Sequence, residues 1–100
     1  METSKTSLRI EIDSALSRQI RSLDPDQRQM IGSAINQAAT AWGHPHQHAG
    51  SGIRKLTHGY FECRSGLKAR LVFKKLAPNA LHFFLLGNHD DVQRFLKRHG

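Results

Sequence analysis

The sequence has little with which to build a cross-linked or membrane-embedded protein. Only one of its 100 residues is cysteine, which excludes an intrachain disulfide framework and a zinc site made of several cysteines. Its longest unbroken apolar run, Phe83–Leu86, is far shorter than the roughly 20 residues of a membrane span. The first residues lack the apolar core of a secretory signal. These absences predict a reduced, cytoplasmic protein with no membrane segment.

Acidic residues are also few, and the resulting charge is unevenly distributed. Eight Asp and Glu stand against fifteen Lys and Arg, for a formal net charge of +7. Residues 1–50 carry five bases and five acids, whereas residues 51–100 carry ten bases and three acids. A one-sided positive field attracts polyanions, of which nucleic acid is the commonest in a cell. The charge therefore predicts a nucleic acid or an acidic protein as partner, and the alternative is a basic face that only keeps the domain in solution.

Hydrophobic periodicity predicts a strand followed by two helices in the first 43 residues. Apolar and charged residues alternate over residues 8–13, which is the pattern of a half-buried strand. The apolar spacing then becomes helical, and Asp13 or Ser14 is of the residue type that caps a helix. A second helix starts at Asp24 and ends at Gly43. The two helices are predicted to form a hairpin with almost no loop.

The second half of the chain predicts three strands and a final helix. Alternation runs through residues 60–64, 67–75 and 80–86 with short turns between them, which indicates an antiparallel meander. Two aspartates then open a last helix, where carboxylates suit the positive end of the helix dipole. The order β-α-α-β-β-β-α predicts an α+β fold: an antiparallel β-sheet with the N-terminal helix hairpin on one face and a short C-terminal helix. The whole chain is predicted to be one domain, with residues 1–6 flexible.

Alternation also assigns side chains to the two faces of this sheet. The face toward the helix hairpin is predicted to carry Leu67, Ala69, Leu71 and Phe73, followed on the last strand by Leu81, Phe83 and Leu85. The opposite face is predicted to carry Glu62, Arg64, Lys68, Arg70 and Lys74, followed on the last strand by His82, Phe84 and Leu86. This second face is expected to lie uncovered and to gather a carboxylate and several cations on one rigid surface.

Four segments of the second half carry a resemblance to a known family. They are Gly52-Ile53-Arg54-Lys55-Leu56, Gly59-Tyr60-Phe61-Glu62-Cys63-Arg64, Lys68-Ala69-Arg70-Leu71-Val72-Phe73 and Gly87-Asn88-His89-Asp90-Asp91. In this order and spacing they resemble the RelE/ParE superfamily of bacterial toxins. The resemblance extends over residues 8–98 and includes the predicted order of elements. It implies the toxin of a type II toxin–antitoxin pair, with a cognate antitoxin protein as partner.

The resemblance implies one of two activities. RelE-like members cleave mRNA, usually in the ribosomal A site, without a metal or other cofactor, by attack of the substrate's 2′-hydroxyl on the adjacent phosphate. ParE-like members instead poison DNA gyrase and lack the nuclease residues. The residues of this chain favour the first activity, a metal-independent and ribosome-dependent endoribonuclease. The alternatives are a gyrase inhibitor without nuclease activity and an inactive nucleic-acid-binding relative.

The resemblance also implies roles for three residues. Arg70 matches the strand arginine that contacts the scissile phosphate, His89 matches a general acid, and Glu62 lies near the position of a base. Histidine suits the acid role because its unperturbed pKa is about 6.5. Two structural alternatives stay open. Glu62 could form a cross-strand ion pair with Arg64 or Arg70, and His89 could be a residue at a helix start that is hydrogen-bonded to Asp91.

Further residues are assigned to RNA binding by charge, by position or by the resemblance. The predicted basic set is Arg54, Lys55, Arg64, Lys68 and Lys74. Tyr60 and Phe95 are predicted to stack on bases, as aromatic rings do in single-stranded RNA recognition. Phe95 falls where many active family members have a tyrosine, so it can stack on a base but cannot donate a proton.

Three other features are predicted to be structural. His44, His46 and His48 alternate in a glycine-rich stretch with no cysteine or acidic residue beside them, which indicates a polar turn rather than a metal site. Cys63 alternates with core residues and is predicted to be a small buried hydrophobe rather than a nucleophile. Trp42 ends the apolar stripe of the second helix and is predicted to pack between helix and sheet.

Overall fold

A computed structural model describes residues 8–43 and 53–99 of the chain. The elements are, in order, β1 (Arg9–Ile12), α1 (Ser14–Arg21), α2 (Pro25–Gly43), β2 (Arg54–Lys55), a 3-10 turn (Thr57–Gly59), β3 (Tyr60–Ser65), β4 (Ala69–Leu76), β5 (Ala80–Gly87) and α3 (His89–His99). The predicted α+β class and order of elements are confirmed, with β2 as an additional short strand. The predicted flexible segment, residues 1–6, lies outside the described residues. Within the described ranges, no helix is long and apolar enough to cross a membrane.

The helix hairpin follows from two capping aspartates. The Asp13 carboxylate accepts a hydrogen bond from Ala15 N (3.1 Å) at the start of α1. Asp24 Oδ1 accepts one from Gln27 N (2.9 Å) at the start of α2. Each carboxylate satisfies a backbone N–H that has no partner within its own helix. Both predicted caps are confirmed, and only residues 22–24 separate the two helices.

The strands form one five-stranded sheet in the order β1-β5-β4-β3-β2. The predicted antiparallel meander of β3, β4 and β5 is confirmed, and β2 pairs antiparallel with β3. By contrast, β1 lies beside β5 and runs parallel to it, pairing Arg9 with Ala80 and Ile12 with Phe83. Alternation assigns residues to faces but carries no information on strand order or direction. The helix hairpin carries the chain across the sheet, which allows β1 and β5 to run in the same direction.

The larger core cluster lies between the helix hairpin and the sheet face beneath it, here called the first face. At its centre the fully buried Phe73 and Phe83 have ring centroids 4.9 Å apart. Trp42 packs edge-on against Phe61 (4.7 Å) and Phe73 (5.9 Å), which confirms its predicted place between helix and sheet. Cys63 is 3% exposed, as predicted. Burial of these apolar side chains is the main stabilising contribution to the fold.

A β-bulge in β5 changes which residues lie on each face. Val72 pairs with Leu85, but the next residue of β4 pairs with Phe83, so Phe84 is an extra residue in the ladder. An extra residue in one strand inverts the alternation beyond it. Leu86 therefore packs against the larger cluster, and Leu85 lies on the opposite, second face. The prediction for these two leucines was wrong because a bulge leaves no mark in hydrophobic alternation.

Leu67, predicted to face the core, is 94% exposed. The strand β4 begins only at Ala69, so Leu67 lies in the turn that joins β3 to β4. The predicted core positions inside β4, Leu71 and Phe73, are fully buried. Alternation is therefore correct within the strand, and the prediction for Leu67 was wrong because it extended the strand pattern into the turn.

The helix α3 packs across the centre of the second face. Val92 on α3 is 1% exposed and joins Tyr60 and Val72 in a second core cluster. Around these three pack Leu56, Phe84, Leu85, Phe95 and Leu96. An amphipathic helix has to bury its apolar stripe, and the apolar positions of this face accept it. The expectation of an uncovered second face was therefore wrong for its centre.

Candidate functional site

A buried carboxylate on the second face is held by two arginines, and we call Glu62, Arg54 and Arg70 the Glu62 cluster. Strand register positions these side chains, because Glu62 lies directly opposite Arg54 on β2 and Val72 on β4. Glu62 Oε2 lies 3.4 Å from Arg54 Nε and 3.7 Å from Arg70 Nη1. The structure therefore favours the ion-pair alternative for Glu62, with Arg54 as a partner that the sequence did not indicate.

The Glu62 cluster combines burial with an excess of positive charge. The side chain of Glu62 is 4% exposed, that of Arg70 17% and that of Arg54 61%. A buried carboxylate is costly unless it is paired, and the two guanidinium groups provide that pairing. Two cations on one carboxylate leave one positive charge uncompensated. Within the described residues the buried Arg70 Nε has no hydrogen-bond partner.

Arg64, Arg70 and Gly87 form one row across the sheet, and we call it the arginine row. In the register of β3, β4 and β5, Arg70 lies directly opposite Arg64 on one side and Gly87 on the other. Arg64 is exposed, in contrast to Arg70. Like charges directly opposite on neighbouring strands repel each other. The row thus holds two cations in an arrangement that an anion would stabilise.

His89 lies two residues beyond the arginine row, at the first position of α3. A reciprocal cap fixes the start of this helix: Asn88 N donates to Asp91 Oδ2 and Asp91 N donates to Asn88 Oδ1, both at 2.9 Å. The Asp91 carboxylate also pairs with Arg94. The imidazole of His89 is exposed and makes no hydrogen bond among the described residues, so the alternative in which His89 is hydrogen-bonded to Asp91 is not realised. Chain connectivity therefore brings a free imidazole to the same end of the sheet as Arg70.

The predicted lysines do not share one location. Lys55 lies directly opposite Phe61, on the first face rather than beside Arg54. Lys68 is exposed in the β3–β4 turn and lines a groove of about 490 Å³ between the helix hairpin and the end of the sheet, together with Gly87 and Asn88. At the far end of the second face, Lys74 Nζ lies 4.9 Å from the ring centroid of Tyr60. Of the predicted lysines, Lys68 is the one that lies near the arginine row.

Tyr60 and Phe95, the two rings predicted to stack on bases, lie beneath and within α3. Tyr60 is only 8% exposed, and its ring centroid lies 5.1 Å from that of Phe95. Phe95 is stacked on His99, with centroids 4.2 Å apart. A base could reach the ring of Tyr60 only after α3 moves. The apolar stripe of α3 was the sequence signal for this arrangement, because such a stripe requires a surface on which to be buried.

One further polar pair on the second face was missed by sequence reasoning. His82 Nδ1 lies 3.1 Å from Glu11 Oε1. The two residues lie directly opposite each other in the parallel β1–β5 ladder. This hydrogen bond, together with Arg9 and its charge, lowers the pKa of Glu11. The pair could not be predicted without the β1–β5 register. The pair lies at the β1 edge of the sheet, whereas β2 and β3 lie at the other edge, so it does not belong to the Glu62 cluster.

Metal and thiol chemistry find no support in the described residues. Over residues 8–43 and 53–99, no three His, Cys, Asp or Glu side chains come together in a way that could hold a metal ion. His44, His46 and His48 lie outside the described residues. Burial, with a contribution from Glu62, raises the pKa of the Cys63 thiol to about 12, so the thiol stays protonated near neutral pH.

The sequence was compared with protein-family models and with curated proteins. No family model matches the chain, and no curated protein matches it significantly. The functional argument therefore depends on the arginine row, the Glu62 cluster and His89.

Proposed function

We propose that this chain is an RNA-cleaving toxin of the RelE type, which acts in the cytoplasm on mRNA bound to the ribosome. The observation that carries the proposal is the arginine row, in which Arg64 and Arg70 lie directly opposite each other. A phosphate bound there would relieve their repulsion by accepting hydrogen bonds from the exposed guanidinium of Arg64 and the partly exposed guanidinium of Arg70. Four sequence segments resemble the RelE/ParE superfamily, and this resemblance is the reason for proposing that the anion is an RNA phosphate.

The proposed reaction uses the substrate's own nucleophile. The 2′-hydroxyl oxygen attacks the adjacent phosphorus and its proton passes to a solvent water, while the bond from phosphorus to the next nucleotide's 5′-oxygen breaks. The products are a 2′,3′-cyclic phosphate and a 5′-hydroxyl. Arg70 stabilises the charge that develops on the phosphoryl oxygens. His89 gives a proton to the departing 5′-oxygen, a role that suits an exposed imidazole.

Glu62 has a positioning role in this proposal. Its Oε2 atom is already shared by Arg54 and Arg70. A carboxylate so engaged, and only 4% exposed, is poorly placed to take a proton from an incoming 2′-hydroxyl. Its contribution is to hold the guanidinium of Arg70 in one orientation on a rigid strand, which lowers the cost of orienting it when RNA binds. Arg54 and Lys68 would contact flanking phosphates.

The proposal is tested by adding the purified protein to a translating extract and mapping the 5′ ends of a reporter mRNA. The wild type is expected to cut at a fixed position within codons. Arg70→Ala is expected to reduce the cleavage rate by about 100-fold or more, in line with the loss of a transition-state donor. Arg70→Lys keeps the charge but loses the planar fork, so an intermediate rate is expected. Loss of the general acid in His89→Ala is expected to cost about 100-fold or more.

Arg18→Ala is the matched control for Arg70→Ala. Arg18 is an exposed arginine on α1, and its removal changes the net charge by the same amount as the removal of Arg70. Thermal unfolding of each variant separates loss of the site from loss of the fold. Uncut mRNA with the folded wild type, or equal cutting by Arg70→Ala and Arg18→Ala, contradicts the proposal.

A gyrase-directed toxin is the second candidate, and the packing of Tyr60 and Phe95 favours it. Tyr60 is buried beneath α3, and Phe95, on α3 itself, is partly buried against it and stacked on His99, so neither ring is fully free to stack on a base. The same extract experiment, run beside a DNA gyrase cleavage assay, separates the two candidates. Intact mRNA together with gyrase-linked DNA breaks would support this second candidate.

Either toxic activity requires an antitoxin partner. The excess of positive charge in residues 51–100 suits a partner with an acidic and flexible segment. Such a segment would cover the arginine row, or would displace α3 from the second face. A neighbouring gene for a small protein with a DNA-binding motif would support this pairing.

A further inference from the structure

The outer edge of β1 offers backbone hydrogen-bonding groups to another strand. In the described part of the chain, β1 pairs only with β5. Arg9 N and Asp13 N donate to carbonyl oxygens of β5 and the turn before it, at 2.8 and 2.9 Å. In a parallel ladder the N–H and C=O of one residue point to the same side, and residues alternate in direction. Leu8, Ile10 and Ile12 therefore direct their backbone groups away from the sheet.

Exposed apolar side chains lie along the same edge. Ile10 is 36% exposed and Ile12 38%, although their partners on β5, Leu81 and Phe83, are fully buried. The strand from Arg9 to Ile12 contains no proline and no lysine, two residues with which natural proteins protect an open edge. The strand is short and carries two charged residues, but its exposed β-branched side chains and outward backbone groups still make it a template for strand addition.

We propose that β1 is a homodimer interface, in which the β1 strand of a second copy adds antiparallel with Ile10 at the centre. In this register Ile10 faces its own counterpart, and Ile12 faces Leu8 of the second copy. Arg9 faces Glu11 of the second copy, twice by symmetry, so each cation meets a carboxylate. The interface is self-complementary, as a two-fold axis requires, and the two sheets become one continuous sheet.

Two other antiparallel registers fail on charge. A register centred on Glu11 would place the two Glu11 carboxylates directly opposite each other, which is a like-charge pair. A register centred on Ile12 would place Glu11 against Asp13, which is a like-charge pair. The register centred on Ile10 avoids both like-charge pairs. Charge complementarity with itself is therefore the reason to name a second copy, rather than a different protein, as the occupant.

Two cysteine variants distinguish this register from any other association. Facing Ile10 residues would have Cα atoms about 5.5 Å apart, within the range of a disulfide. The Ile12 residues would be about 13 Å apart, because each faces a position four residues from its counterpart. Ile10→Cys is expected to form a covalent dimer under mild oxidation, whereas the equally exposed Ile12→Cys is not. The native Cys63 does not interfere, since it is 3% exposed.

Sedimentation over a concentration series tests the unmodified chain. The wild type is expected to dimerise, and Ile10→Pro, which removes an outward N–H but none that bonds to β5, is expected to be monomeric. Ile10→Val keeps the N–H and is the matched control. Arg9→Glu places carboxylates opposite each other and is expected to weaken the dimer about 10-fold or more. The double variant R9E/E11R restores opposite charges and is expected to restore the dimer.

The proposal is overturned by a wild type that stays monomeric up to about 1 mM, which is also the result expected if only a different protein binds this edge. It is overturned by a dimer that persists in Ile10→Pro, and by equal cross-linking of the two cysteine variants. Circular dichroism verifies the fold of Ile10→Pro. If that variant does not fold, the comparison of Ile10→Cys with Ile12→Cys decides the question.

Discussion

Neutralising Glu62 tests the buried ion pair at the centre of the candidate site. The variant Glu62→Gln keeps the shape of the side chain and removes its charge. Arg70, whose side chain is 17% exposed, would then be left without its carboxylate partner. Arg54 is 61% exposed and can turn into solvent, so it loses less. The change therefore isolates the cost of leaving one guanidinium mostly buried and unpaired.

The size of the effect follows from this difference in exposure. Removing one partner of a fully buried ion pair costs about 3–5 kcal/mol. Arg70 retains some contact with solvent, so the free energy of unfolding is expected to fall by about 2–3 kcal/mol. In a domain of this size, 1 kcal/mol corresponds to about 4–8 °C in Tm, so Tm is expected to fall by about 10–20 °C.

Urea unfolding of the wild type and of Glu62→Gln measures the change through the midpoint at constant m-value. The matched control is Glu11→Gln. Glu11, like Glu62, has two cationic partners (Arg9 and His82), but its side chain is 38% exposed against 4% for Glu62, and exposed ion pairs contribute little to stability. The double variant Glu62→Leu with Arg70→Met replaces both charges by apolar groups and is expected to recover much of the loss. A change of less than about 0.5 kcal/mol in Glu62→Gln would refute the reasoning, since surface substitutions reach that size.

Three further outcomes follow from substitutions at single positions. The hydrogen bond from His82 lowers the pKa of Glu11 from 4.5, so its stabilising effect is complete above that pH and is lost as the pH falls through the lowered value. Glu11→Gln should therefore flatten the fall of Tm in acid, measured between about pH 5 and 3. Gly32→Ala should raise stability by about 1 kcal/mol, because an added Cβ meets no atom within 4 Å. Gly87→Ala should lower Tm, because its Cβ would lie 2.6 Å from Asp91.

Local sequence patterns were sufficient for the elements and for most of the core. Asp13 and Asp24 cap the two N-terminal helices because a carboxylate satisfies free backbone N–H groups wherever a helix begins. Alternation along β4 buried Leu71 and Phe73 on the first face and left Arg70 on the second. These features depend on contacts between near neighbours, which the sequence displays directly.

Features that depend on distant contacts could not be predicted in this way. The extra residue Phe84 inverts the faces of Leu85 and Leu86, and nothing in an apolar run marks a bulge. The partnership of Arg54 with Glu62 requires the β2–β3 register, and β2 itself is only two residues long. The parallel position of β1 likewise depends on how the helix hairpin crosses the sheet.

The placement of α3 has the largest consequence for function. Its apolar stripe covers Tyr60 and Val72 at the centre of the second face. Arg64 remains exposed, and Arg70 is partly so, at the end of the sheet where α3 begins. In the described part of the chain, Arg64, Arg70 and His89, which follows Gly87 of the arginine row by two residues, all belong to this end of the second face. The proposed phosphate site is therefore the end of the second face that the packing of α3 leaves accessible.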